Sequence, residues 1–168
     1  SPSPLVTPII QDLDMTFGRM GFVLGSWQMT YILVAVMAGL IMDRWGIRKS
    51  IFAGALIIGL SAALRAVSVG FGSLLVFVSL FGVGGPMISI GCPKTIAMWF
   101  KGKERNTAVG IYTTGPWIGG MTSLAATNAV VMPLTGNSWR LTFVCYGIVD
   151  IGFALLWWAL AKEAEETT

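Results

Sequence analysis

The residues able to do chemistry in this sequence are few, and they concentrate in the stretch Asp43-Arg44-Trp45-Gly46-Ile47-Arg48-Lys49. One carboxylate stands there among three basic side chains, with Gly39 just upstream. Gly21 to Met42 before it and Ser50 to Leu64 after it carry no charge. A charge cluster between two apolar runs of that length is a membrane loop, and positive-inside topology accounts for Arg44, Arg48 and Lys49. Topology does not ask for Asp43. A carboxylate flanked by cations and helix ends can hold a charge network at the membrane surface. Gly46 permits a sharp reversal, and Ser50 is placed to cap the next helix.

The other reactive groups are scattered. There is no histidine, and Cys92 and Cys145 form no CxxC pair and lie inside apolar runs. A metal site is not expected, nor is a cofactor. No nucleophile–base pair or phosphate loop is found, so enzyme chemistry has no support. Lys94 stands beside Pro93 near the end of an apolar run. It could attract an anionic solute or snorkel to the surface. Asp150 falls at the middle of another run, where a buried partner or a protonated carboxyl is expected. Gln28, Tyr112, Thr113, Thr114 and Trp117 are polar or amphipathic groups within apolar segments, open to solute contact or to helix packing.

The elements that must position these groups follow from composition. Hydrophobic residues make up 55% of the chain and charged residues 11%, against about a quarter charged in a soluble domain. The charges are clumped and leave long uncharged windows. This pattern predicts an all-α polytopic membrane protein. β-Barrel strands would alternate in short segments instead. Five complete spans are expected at about 21–42, 50–70, 71–97, 107–132 and 141–160, with charged loops at about 43–49 and 98–106, all in one domain over 1–168. Pro86, within Gly82-Val83-Gly84-Gly85-Pro86, is expected to weaken the third span. Ala55, Gly59 and Ala63, and again Gly115, Gly119 and Ser123, are four-spaced small-residue stripes suited to close helix approach. Arg65 is expected to snorkel outward, and Trp157 and Trp158 to sit in an interfacial aromatic belt.

The opening SPSPLVTPIIQ is too short to span and carries three prolines. It reads as the outer end of a helix whose body is missing. The chain starts at Ser1 without a signal peptide, which suggests a fragment. With five spans, eight of the eleven basic residues fall on one side, Lys162 among them. Arg19, Arg65 and Arg140 fall on the other. The positive-inside rule then puts the 43–49 loop and the C-terminus in the cytoplasm and the N-terminus outside, in a plasma membrane. The net charge of +3 belongs to this topology and implies no nucleic-acid partner.

Gly39-Leu40-Ile41-Met42-Asp43-Arg44-Trp45-Gly46-Ile47-Arg48-Lys49 resembles the GxLxDRxGRR/K loop motif of the major facilitator superfamily. It matches at Gly39, Asp43, Arg44, Gly46, Arg48 and Lys49, with Ile47 standing where an arginine often stands. Trp99 to Gly110 resembles the family's WFPxxERGxAxG stretch, and Gly115-Pro116-Trp117-Ile118-Gly119-Gly120 its GPxxGG core. Trp139-Arg140 resembles its sixth-helix entry. The resemblance implies the N-terminal half of a transporter, with five complete helices and a stub of the first. It implies a cytoplasmic gate built on Asp43 and its basic neighbours, latching onto a missing C-terminal half. It makes Gly115, Pro116, Gly119 and Gly120 a packing motif. Val78 occupies the place of the arginine found in many proton-coupled members, so no coupling ion is implied. Gln28, Lys94, Tyr112, Thr113 and Trp117 are the candidate solute-facing residues. The function implied is secondary transport of a small solute by alternating access, as symporter or antiporter, with an organic or inorganic anion favoured by Lys94. The alternative is a non-transport membrane subunit or sensor built on similar helices.

Overall fold

A computed structural model describes residues 5–161. Pro2, Pro4 and the polar tail from Lys162 lie outside the described residues. Seven α-helices follow in order: α1 Val6–Asp12, α2 Phe17–Trp45, α3 Ile47–Arg65, α4 Phe71–Trp99, α5 Gly102–Ala126, α6 Met132–Leu134 and α7 Trp139–Leu160. A π-helical segment, Thr127–Val131, continues α5 into the short α6. No strand occurs among the described residues.

α2 and α7 outgrow the expected spans because polar residues are drawn into their ends, whereas α3 stops at Arg65, short of the expected end at 70. Thr16 caps α2 by accepting from the Arg19 amide, and Ser138 caps α7 by accepting from the Leu141 amide. The expected loop 43–49 contracts to one residue. Asp43, Arg44 and Trp45 finish α2, while Ile47, Arg48 and Lys49 begin α3. Gly46 alone breaks the helix, at φ 84°, a region that disfavours side chains. Ser50 is not a cap: its hydroxyl donates to the Gly46 carbonyl one turn back, at 2.8 Å. The 98–106 loop shrinks likewise to Phe100 and Lys101.

Four helices, α2, α3, α4 and α7, are long and apolar enough to cross a membrane. α5 has the length, 25 residues, or about 37 Å at 1.5 Å per residue. It falls short on hydropathy, because glycine, threonine and its charged first turn dilute it. α1 is the expected stub: its seven residues bury Val6 and Ile9 against Met20, Val23 and Leu74.

Lipid removes most of the hydrophobic drive for helix association, so contact distance decides packing. α4 is the central helix, lying between α2 and α3. A Cβ on Gly84 would lie 2.5 Å from the Gly54 carbonyl oxygen of α3. One on Gly82 would strike the Trp27 carbonyl and Thr30 of α2, and one on Gly85 would meet the Tyr31 ring at 3.1 Å. The Gly82–Gly85 stretch is thus where three helices cross, and α4 runs unbroken through Pro86 and Pro93. Of the first small stripe, Gly59 and Ala63 seat α7. A Cβ on Gly147 would lie 2.9 Å from Ala63. α2 and α3 touch little beyond the turn that joins them.

Arg65 does not snorkel outward. Its Nη2 donates to Ser61 Oγ at 3.2 Å, one turn back into the bundle, and Phe81 and Phe143 each hold a ring 5.6 Å away. Asp150 packs half-buried against Gly59 within electrostatic reach of Arg65. At the same end Arg140 gathers three segments, donating to Ala66 O, Ser68 O and, at 2.8 Å, Asp12 Oδ2.

One chemical change made at two glycines should therefore have two results in the 168-residue chain. Gly84→Ala is expected to destabilise by about 1–3 kcal/mol, because backbone on both sides cannot yield. Gly120→Ala, which would meet nothing within 4 Å, is expected not to destabilise. Thermal unfolding in detergent measures both.

Candidate functional site

The charged residues singled out in the sequence collect at the end of the bundle where α2 stops, α3 starts, and α4 and α7 finish. Asp43, in the last turn of α2, accepts from Lys94 Nζ of α4 at 2.5 Å. The two side chains are 43% exposed for Lys94 and 62% for Asp43, so water and salt reach the pair. Lys94 is therefore neither free for a solute nor snorkelling alone: its ammonium is held by a carboxylate on the neighbouring helix. Sequence reasoning assigned Asp43 and Lys94 separate roles. The signal that could have joined them was their shared position, each within two turns of the end of its helix on the same predicted side.

Gly46 divides the motif. On its α3 side, Arg48 Nη2 donates to the Trp158 carbonyl at 2.5 Å, and its guanidinium lies over the Trp158 ring, 4.6 Å from the centroid. The Trp157 indole N–H donates in return to the Arg48 carbonyl at 3.2 Å. Trp157 and Trp158, expected as interfacial anchors, thus also grip the start of α3. Arg44 and Lys49 are exposed. Gly39 would meet nothing within 4 Å of an added Cβ.

Further into the bundle the candidate solute residues divide. Tyr112 of α5 is half-buried, within electrostatic reach of Tyr31 on α2 and Cys92 on α4. Tyr31 escaped the sequence reading, although it lies three residues from Gln28 on the same helical face. Gln28 is exposed, and Trp117 is 77% exposed. Thr113 satisfies its hydroxyl on the Gly110 carbonyl within its own helix, as Thr114 does on Ile111.

α5 otherwise stands apart. None of its residues is buried, and added Cβ atoms at Gly115, Gly119 and Gly120 would meet nothing within 4 Å. The surface carrying these glycines and Pro116 therefore has no partner among the described residues. Near its far end Thr127 shares a short hydrogen bond with the Tyr146 hydroxyl, tying the π segment to α7.

With this arrangement in view, comparison with known proteins is specific. The family model of the Major Facilitator Superfamily matches residues 1–168. The hexuronate transporter of Bacillus subtilis (strain 168) is 28% identical over 165 residues, covering 98% of this chain and 38% of that transporter. The galacturonate transporter of Dickeya chrysanthemi is 27% identical over 161 residues, covering 95% of this chain and 46% of that transporter. The chain thus spans less than half the length of the curated relatives it matches. A crystal structure of a bacterial homolog to the human lysosomal transporter Spinster, inward-facing and occupied, superposes with a TM-score of 0.81 over 95% of this chain and 39% of that one, at 21% identity. At that identity the likeness establishes a common fold.

The exposure of the Asp43–Lys94 pair sets its energetic scale. Asp43→Asn or Lys94→Gln is expected to change stability by only about 0–1 kcal/mol, with the difference shrinking further at high salt. Thermal unfolding across a salt series measures this. A larger loss would mean the pair holds the fold together.

Proposed function

Because this chain belongs to the Major Facilitator Superfamily, we propose that it forms the N-terminal half of a secondary transporter for a small carboxylated sugar acid, working by alternating access. The observation that carries the reading is the pairing of Asp43, on a motif of this family, with Lys94 of α4. The relatives named for hexuronate and galacturonate transport supply the substrate class. No catalytic step is assigned to the chain.

The mechanism follows from the competition that the pair creates. An anion passing the Gly46 end meets a lysine already neutralised by Asp43. A carboxylate can take Lys94 only when Asp43 releases it, and Asp43 is released only when the ends of α2 and α4 separate. Gate state and solute charge are thereby linked through one ammonium group, because each partner excludes the other. On α2 and α5, exposed Gln28 and half-buried Tyr31 and Tyr112 offer hydrogen-bonding groups of the kind a hydroxylated solute needs, Thr113 can still accept, and exposed Trp117 gives an apolar face.

The remaining half of the transporter is proposed to pack against α5. The open glycine surface at Gly115, Gly119 and Gly120 admits close backbone approach, and Trp117, Ile118 and Met121 beside it are all more than half exposed. The Gly46 end is proposed to face the cytoplasm in the plasma membrane. Arg44, Arg48, Lys49, Lys94, Lys101, Lys103 and Arg105 all gather there, as the positive-inside rule requires of the inner face.

Uptake of radiolabelled galacturonate into vesicles carrying the full-length protein tests the substrate class. Saturable uptake competed by glucuronate but not by glucose is expected, and uptake competed equally by the neutral sugar would overturn it. Asp43→Asn should free Lys94 and tighten sugar-acid binding from the Gly46 side by about 5–150-fold at most, read by equilibrium binding. Gly119→Leu should abolish uptake without loss of membrane insertion if the second half docks on α5. Unchanged uptake would remove α5 as the docking surface.

A further inference from the structure

We propose that Arg48 is a positioning residue of the gate, which binds the start of α3 to the last turn of α7 so that movement of the Gly46 turn is passed directly to the end of α7. This rests on the transporter reading above, and it gives Arg48 a role apart from the latch formed by Asp43.

The geometry is that of a reciprocal clamp. α7 ends at Leu160, so the Trp158 carbonyl is one of the last four, which have no acceptor role inside the helix. Arg48 Nη2 fills that vacancy at 2.5 Å. A cation at a helix C-terminus also meets the negative end of the macrodipole. The Trp158 ring is held twice by α3: the Arg48 guanidinium lies over it, and Phe52, one turn on, packs against it tilted by 41° at a centroid distance of 4.8 Å. Trp157 closes the loop by donating to the Arg48 carbonyl. Two bonds in opposite directions and two ring contacts thus join the ends of two helices that are remote in sequence.

The clamp matters because of what Gly46 separates. On one side Asp43 ties α2 to α4. On the other Arg48 ties α3 to α7. α2 and α3 touch little apart from the turn between them, so Gly46, the single non-helical residue, joins two tethers. A change at the Asp43–Lys94 pair reaches α3 through that turn, and the clamp carries it to α7. In the proposed transporter the second half follows α7 along the chain, so the clamp lies on the covalent route between the halves.

The role requires arginine. Positive-inside topology needs only a charge at position 48, which lysine supplies equally. The clamp needs a planar group that donates to a carbonyl while stacking on an indole, which lysine cannot provide.

The test uses the full-length protein reconstituted in vesicles, with Arg48→Lys, Trp158→Leu and the double variant. Each single variant should slow galacturonate turnover about tenfold while the solute Kd stays within about twofold, and the double should be no slower than either single. Wild-type turnover in Arg48→Lys would overturn the proposal, as would single effects that multiply in the double. Melting temperatures of the same four proteins, taken without solute, give a readout independent of transport. Non-additive shifts support the clamp even if no solute is transported, and additive shifts overturn it even if transport is confirmed.

Discussion

The whole arrangement depends on how closely α4 can approach its neighbours. In a bilayer the hydrocarbon around a helix is as apolar as the helix itself, so burying leucine against leucine drives little association. What holds helices together is contact at short range, and glycine sets that range. Gly84 and Gly54 bring α4 and α3 to backbone contact, Gly82 does the same toward α2, and Gly85 seats the Tyr31 ring. Gly91, whose Cβ would lie 2.5 Å from Ile51 Cγ1, continues the approach toward the Gly46 end. Gly59 and Gly147 repeat it between α3 and α7. Each crossing fixes the rotation and height of a helix, and these fix which side chains meet at its end.

The charged end is a consequence of those crossings. Asp43 and Lys94 pair because α2 and α4 cross tightly in mid-bundle and finish at the same level. Arg48 reaches Trp158 because α3 and α7 are in contact along the Gly59–Ala63 stripe. The same loop motif thereby makes two sets of contacts divided by one glycine. On the α2 side lies an exposed ion pair, Asp43 with Lys94. On the α3 side Arg48 donates to the Trp158 carbonyl and lies over its ring. An exposed pair of this kind contributes little to stability.

Much of this was legible from the residues. The long uncharged windows, the stub at the start, the clustering of basic residues at one end and the family motifs are all local properties of the chain, and the fold agrees with them. The small-residue stripe at Gly59 and Ala63 was read correctly as a packing surface. Other readings failed for identifiable reasons. Gly82-Val83-Gly84-Gly85-Pro86 was read as a weak point within one span, because proline and glycine cost an isolated helix stability. The bundle turns those glycines into contact points, and the helix stays continuous. Arg65 was expected to reach outward, but Ser61 and two phenylalanine rings offered it partners inside. The loop at 43–49 was drawn too long, because charge was taken as a sign of irregular backbone.

The sequence by itself determined the class of the protein: an all-helical membrane chain of the Major Facilitator Superfamily, with most of its basic residues gathered at one end. Hydropathy, charge placement and short motifs depend only on neighbours along the chain. The tertiary structure decided the pairings: Lys94 with Asp43, Arg48 with Trp158, Tyr112 near Tyr31. These join residues 51, 110 and about 80 positions apart. Their meeting is set by helix rotation and crossing height, which depend on where two backbones can touch. It also decided that the glycine surface of α5, so similar in sequence to the stripe on α3, finds no partner among the described residues. A small-residue stripe specifies how closely a helix may be approached, and only the fold specifies by what.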